Sequence, residues 1–427
     1  MSALSQILQQ NKQGLGRGIY SVCSAQPLVL TAALRRAKAD NSVLLIEATA
    51  NQVNQFGGYT GMLPADFIAY VRQLAKTEGV QQQQLIFGGD HLGPVVWCKE
   101  PAEQAMLKAE QLIAVFVEAG FSKIHLDTSM ACADDPAALS DEVIATRAAR
   151  LCKVAEQHRA PDQSLCYVIG TEVPAPGGVT ELEHELAPTP VQAVQHTLNT
   201  HKAAFTAAGL GDDVWQKVIA LVVQPGVEFD NSKVHLFDVP ASQALSAYIQ
   251  TQAGLVYEAH STDYQLPEQL NALVQGHFAI LKVGPGLTFA LREALFVLSF
   301  IEDELVAPEQ SSQLRTRCKA LMQNNTGYWQ KFYTDSSQQW QLLYSFSDRI
   351  RYYWPETELQ RAIDTLFSNL SAPLPLPLLS QFLPASYQAV LRGTVANKVE
   401  DLVIHHIDQV LASYANACAL AATTRSI

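Results

Sequence analysis

The sequence predicts a (β/α)8 TIM barrel with a C-terminal, mainly helical extension, and three observations predict it. Eight short apolar runs alternate with helical patterns between residues 18 and 290, as parallel βαβ units require. Nearly every run ends in a polar or Gly-rich segment, as expected where all strand carboxyl ends converge on one face. From Ala290 onward the strand pattern stops. A doubly wound open sheet alternates strands and helices too, but it concentrates its polar residues near the switch point of strand order.

Taken in order, residues 1–18 read as a helix and a Gly-rich turn, and Gly18–Cys23 is the first strand. Val43–Ile46 is the second and closes on Glu47, before a polar, Gly-rich loop from Asn51 through Gln55 to Gly61. The third enters Gly88, Gly89, Asp90 and His91, and the fourth, Lys123–Leu126, ends at Asp127. Helical spacing covers residues 64–76, 103–118 and, behind Ser140 as N-cap, 140–158. The fifth strand, Leu165–Gly170, leads into Thr171, Glu172 and a Pro- and Gly-rich segment that no helix or central strand accommodates. After a helix over 189–208, Val218–Val223 is the sixth strand and ends at Gln224 and Glu228. The seventh, Leu255–Glu258, leads to His260 and Asp263, and the eighth, Phe278–Leu281, to Lys282, Gly284, Gly286 and Thr288.

These elements place the barrel at 1–300 and a helical extension packed on it at 301–427. In the extension, an aromatic run, Tyr344–Pro355, precedes a helix near 358–370, and a stretch with Pro373, Pro375 and Pro377 separates that helix from a last one near 398–417. Prolines at every second position fit an extended, polyproline-like segment. The aromatic run carries Asp348, Arg349 and Arg351, which suits an interface, a lid or burial against the barrel.

Hydrophobic residues make up 48% of the 427 and charged residues 16%, so the chain is built to fold rather than to stay solvated. A net charge of −12 argues against a nucleic-acid or anionic-membrane binder. No apolar run has the length of a signal core or membrane span, and a cytoplasmic protein is expected. Seven scattered cysteines with no C-x-x-C pair indicate neither a disulfide framework nor a cysteine metal site. The expected partners are small molecules or proteins, and a homo-oligomer is left open.

If the barrel is right, the strand tips share one cavity. His91, Glu172 and His260, with Gln224 completing the set, are candidate ligands for Zn2+ or another divalent metal. Asp90, beside one ligand, is the candidate proton carrier, with Glu47 and Asp127 as further carboxylates that act in catalysis or orient neighbours. That chemistry fits retro-aldol cleavage, enolisation or epimerisation. Lys282, Gly284, Gly286 and Thr288, at the start of a helix after strand eight, offer a sugar-phosphate grip, and Gln55 a further polar contact. No G-x-x-x-x-G-K-[ST] loop is present, so kinase action of that type has no support.

Several long motifs go further: Glu47–Gly61, Gly88–Pro94, Gly170–Pro174, Val223–Phe229, Glu258–Gln265, Lys282–Pro285 and Ser347–Pro355. Together they closely resemble the GatZ/KbaZ family, the Z subunit of tagatose-1,6-bisphosphate aldolase, over nearly the whole chain. The resemblance implies a barrel related to class II, zinc-dependent aldolases, working with a separate catalytic Y subunit in galactitol or N-acetylgalactosamine catabolism. It implies a non-catalytic subunit needed for the full activity and stability of that partner. Asp90 and His91 look like the class II catalytic Asp and the metal-binding His after it, and His260 like a second ligand. The strand-six position, where the aldolase carries a histidine, reads Gln224. A subunit acting only as a scaffold needs no such set of strand-tip groups, so the rival expectation is a metal-dependent activity of the chain's own, such as C4 epimerisation of a ketose phosphate.

Overall fold

The computed structural model describes residues 2–170, 186–333 and 339–420. Among them, eight parallel strands close into a barrel: β1 (Ile19–Val22), β2 (Leu44–Thr49), β3 (Leu85–Leu92), β4 (Lys123–Leu126), β5 (Cys166–Ile169), β6 (Val218–Val222), β7 (Val256–Ala259) and β8 (Phe278–Val283). The barrel closes where Ile19 to Val22 of β1 pair with Ile280 to Val283 of β8. A two-stranded antiparallel pair, Glu228–Phe229 with Val234–His235, follows β6. The barrel strands are mostly apolar because both faces are covered, one by the barrel interior and one by helices. Each helix buries one stripe; in Ala102–Ala119 it is Ala105, Met106, Ala109, Leu112, Ile113, Phe116 and Val117, the spacing of a single helical face. The first helix, Ala3–Lys12, crosses the amino-terminal end of the barrel, where Asn11 Nδ2 donates to Val274 O at 2.9 Å and Asn11 Oδ1 meets His277 Nδ1 at 2.8 Å.

The last helix, Val399–Ala417, is part of the barrel wall. It packs against Pro27–Asp40, Pro267–Gln275 and Pro285–Leu305, and so fills the ring between the first and seventh wall helices. Tyr414 donates its hydroxyl to Thr262 O at 2.7 Å, and the Cys418 carbonyl accepts from Gly18 N at 3.1 Å. On the outer side Arg35 pairs with Asp401 at 2.7 Å and Arg36 with Asp408. The region after residue 300 thus contains a wall helix as well as an appendage.

Two expectations for this region change. The proline-rich stretch is helical from Leu376 on, with helices at Leu376–Phe382 and Pro384–Leu391. Pro375 is an N-cap, Pro377 lies in a first turn and Pro384 opens a helix, positions where the missing amide would have had no partner anyway. A helix also spans Leu314–Asn324, where only polar segments stood out, because its buried stripe is just Leu314, Cys318 and Met322. The aromatic run is largely buried: Ile350, Tyr353 and Trp354 are in the core, and Tyr264 donates its hydroxyl to Phe346 O at 2.7 Å.

Ile407 and Leu411 of the last helix are fully buried. Ile407→Ala and Leu411→Ala should each cost about 2–5 kcal/mol, as core truncations do, measured by urea unfolding. A helix merely resting on a finished barrel would lose far less.

Candidate functional site

The site begins at an irregularity in β3. Its pairing with β4 shifts register between Gly89 and Leu92, and His91 adopts a left-handed backbone, φ +49°. In a regular strand, neighbouring side chains point to opposite faces. Here the bulge lets adjacent Asp90 and His91 both line one cavity at the carboxyl ends of the strands. The surrounding glycines provide room. A Cβ on Gly88 would come within 2.7 Å of the Glu47 side chain, and one on Gly93 within 1.6 Å of the Asp127 carbonyl oxygen.

Behind that cavity lies a lattice of buried charges. Lys123 of β4, fully buried, meets Glu47 Oε1 and Glu258 Oε2 at 2.7 Å each. Lys282 of β8 reaches Glu47 Oε2 and Asp90 Oδ2, the latter at 3.0 Å. Burial alone would strip both ammonium groups of their protons, but the carboxylates outweigh it and raise both lysines. Burial likewise favours the neutral acids, yet the cations hold Asp90 and Glu258 well below the usual carboxylate range.

Three imidazoles stand on this lattice, each tied to its own carboxylate. His91 Nδ1 lies 2.7 Å from Asp127 Oδ2, His125 Nδ1 3.0 Å from Asp90 Oδ1, and His260 Nε2 3.0 Å from Glu258 Oε1. Their ring centroids are 4.9, 5.1 and 5.3 Å apart. The opposite nitrogens, His91 Nε2, His125 Nε2 and His260 Nδ1, are buried without a hydrogen-bond partner, though His91 Nε2 lies 3.8 Å from Asp90 Oδ2. Carboxylates that fix one nitrogen and leave the other free are how proteins prepare histidines for metal. Oxygen and nitrogen atoms of Asp90, His125, Glu258 and His260 all lie within 4.8 Å of one another, so the residues present fit a divalent ion. Burial outweighs the Glu258 contact and lowers His260 to about 4, whereas Asp90 and Asp127 overcome burial and raise His91 to about 9. At pH 7 these shifts favour a neutral imidazole at His260 and a protonated one at His91, held by Asp127.

The cavity, about 510 Å³, is lined by Asp90, His91, Asp127, His260 and Lys282 together with Arg351, Tyr352 and Trp354 of the aromatic run. That run is thus a wall of the site. Of the candidate residues, Glu47 does not reach the cavity and acts through Lys123 and Lys282. Gln224 faces its own turn, where its Oε1 accepts from Gly226 N at 2.8 Å and Val227 N at 2.9 Å. Gln55 donates to Lys108 O at 2.9 Å, away from the cavity lining. Glu172 lies outside the described residues. Gly284 and Thr288 line the cavity, but the amides of Gly284 and Gly286 already donate to Asp263 Oδ1 at 3.0 and 2.7 Å. Lys123 and His125 escaped the sequence reading. Their signal was the alternation in Lys123–Leu126, which sends both polar side chains to one face.

Fold and site together define a (β/α)8-barrel protein with its functional pocket at the carboxyl ends of the strands. Residues 4–419 match the family described as D-tagatose-1,6-bisphosphate aldolase subunit GatZ/KbaZ-like, and the chain belongs to that family. It is similar to a crystal structure of a probable tagatose 6 phosphate kinase from Sinorhizobium meliloti 1021, with 45% identity and a TM-score of 0.87, over 94% of this chain and 100% of that one. A fructose-bisphosphate aldolase from Campylobacter jejuni aligns at 14% identity with a TM-score of 0.47, over 87% of this chain and 93% of that one. No described helix is long and apolar enough to cross a membrane.

Lys123→Met should destabilise the barrel by about 3–5 kcal/mol, because it strands buried carboxylates. The sign of its pH dependence also follows. Asp90 and Glu258 are depressed in the folded state, so their contribution is present above the unfolded carboxylate range of about 4 and is lost on acidification through the folded values. Wild-type melting temperature should fall steeply below roughly pH 4, and that fall should be shallower in Lys123→Met.

Proposed function

We propose that this chain is a metal-dependent sugar-phosphate protein whose barrel site performs reversible aldol chemistry, with C4 epimerisation of a ketose phosphate as the reaction. The observation that carries this reading is the trio of carboxylate-tied histidines whose three opposite, buried nitrogens make no hydrogen bond. A site kept only as scaffold has no use for such orphaned atoms, each of which costs free energy to bury. A divalent ion held among His125, Glu258 and His260 would supply Lewis acidity for a ketose carbonyl. Asp90, held ionised, takes the proton from the C4 hydroxyl as the C3–C4 bond breaks and the electron pair moves toward C2. The carbonyl at C4 turns its other face, the C3–C4 bond reforms, and Asp90 returns the proton to the C4 oxygen. No electrons are gained or lost overall. Lys282, 3.0 Å from Asp90, keeps that carboxylate in place and ionised.

A second reading follows from the family description, which is of an aldolase subunit: the chain stabilises and activates a class II catalytic Y subunit, without turnover of its own. The kinase named for the Sinorhizobium meliloti relative finds no phosphate loop here to support it.

Purified wild-type protein should hold near-stoichiometric zinc or another divalent ion by elemental analysis, and His125→Ala should lose most of it. The chain alone should interconvert a ketose 6-phosphate and its C4 epimer, with chelation abolishing turnover and Asp90→Asn lowering it at least about 100-fold. Metal-free protein that is inert alone, yet raises the activity and lifetime of a Y subunit, would establish the second reading instead.

A further inference from the structure

The helix start after β8 is where a barrel often holds phosphate, yet here it is filled from within. Asp263 Oδ1 accepts from the amides of both Gly284 and Gly286, so the donors that would cradle an anion are spent on a carboxylate of the same chain. A Cβ on Gly286 would lie 3.0 Å from that oxygen, which shows how closely the carboxylate is seated. A phosphate placed there would have to displace Asp263 or lie against its charge.

Besides His91, which is tied to Asp127, the cavity wall has two cationic side chains among the described residues, Lys282 and Arg351. Lys282 is committed to Glu47 and Asp90. Arg351 differs in kind. Its guanidinium donates to the carbonyl oxygens of Ser347 and Asp348 and, at 3.0 Å, to the Tyr352 hydroxyl. All three acceptors are neutral, and among the described residues no carboxylate lies within ion-pair distance of it. Tyr352 also flanks the guanidinium, 4.5 Å from ring centroid to Cζ. The backbone that supplies the carbonyls is itself fixed: Asp348 sits in a left-handed conformation, φ +44°, and accepts a hydrogen bond from Thr288 Oγ1. The result is a rigid, half-buried guanidinium that makes no direct ion pair, with the Asp348 and Asp263 carboxylates acting on it from longer range, in the same cavity as Asp90 and His260.

We propose that Arg351, supplied by the C-terminal segment, is the residue that recognises the phosphate monoester of the substrate, in place of the helix start after β8. This rests on the sugar-phosphate reading above and adds to it where the anion is held. A guanidinium with spare N–H donors matches a phosphate through two parallel hydrogen bonds, which an ammonium cannot reproduce. The same contact explains why the aromatic run is both buried and part of the wall: a binding arginine needs a backbone that does not move.

The test is calorimetric titration of the full chain with fructose 6-phosphate and, separately, with fructose. Wild type should bind the phosphorylated sugar at least about tenfold more tightly, the worth of a charged hydrogen bond. Arg351→Gln should remove most of that preference while leaving fructose binding unchanged. Arg351→Lys, which keeps charge and stem, should retain part of it and decides the matter should the glutamine variant fail to fold. Equal binding of the two sugars by wild type, or an undiminished preference in Arg351→Lys, would overturn the proposal. Phosphate-dependent binding that needs Arg351 but is followed by no turnover would sink the epimerase reading and leave this one standing. Turnover with the same KM in wild type and Arg351→Lys would do the reverse.

Discussion

Lys123 is buried to the last atom between Glu47 and Glu258, and the geometry of the site depends on that arrangement. A barrel interior is ordinarily filled by layers of branched apolar side chains. Putting an ammonium there is costly unless several partners compensate it. The partners come from β2 and β7, and Lys282 on β8 shares both of them. Five of the eight strands are thereby fixed relative to one another by directional contacts, since Asp90 on β3 joins through Lys282. Apolar packing would close the barrel, but it would not hold a carboxylate at one distance from a histidine. The charged layer does, because Glu258 is held by Lys123 on one oxygen and by His260 on the other.

The bulge in β3 complements that layer. Asp90 must touch Lys282 and His125 while His91 must touch Asp127, and a regular strand cannot point two successive side chains the same way. The left-handed backbone at His91 stores strain, which is tolerated because Gly88, Gly89 and Gly93 yield the space and the hydrogen bonds on either side hold the result. Ser261 and Tyr264 after β7 are left-handed as well. Left-handed residues thus recur around the cavity, at the ends of β3 and β7.

Much of this was legible in the sequence, and the failures are instructive. Eight apolar runs with polar tips gave the barrel, because a strand covered on both sides must be apolar and a strand end facing a cavity need not be. Asp90, His91, His260 and Lys282 were legible for the same reason. Lys123 and His125 were not, because they lie within a strand, where a charged side chain contradicts the usual burial pattern unless its partners are known. Those partners are 76 and 135 residues away for Lys123, counted from Glu47 and Glu258. Gln224 looked like a strand-tip ligand but satisfies its own turn, and Gln55 looked like a loop contact for substrate but donates to Lys108 O on a distant helix; neither outcome can be told from local sequence. The closing of the wall by Val399–Ala417 was hidden in another way. The helical pattern was visible, but nothing in it says which gap the helix fills.

That last helix changes how the C-terminal part should be regarded. If residues after 300 only decorated a finished barrel, the aromatic run could swing away as a lid without cost to the rest. Instead the chain leaves the barrel after Leu305, passes through the run that lines the cavity, and returns to complete the wall beside β1. The cavity wall is therefore pinned at both ends: by Tyr264 and Thr288, whose hydroxyls donate into the 346–348 segment, and by a helix whose Tyr414 reaches Thr262, two residues from His260. Anchored this way, Arg351, Tyr352 and Trp354 share one rigid wall with Asp90, His91 and His260. Such a pocket trades induced closure for preorganisation, and under the epimerase reading proposed above that would suit a reaction whose fragments must stay bound while one of them turns over.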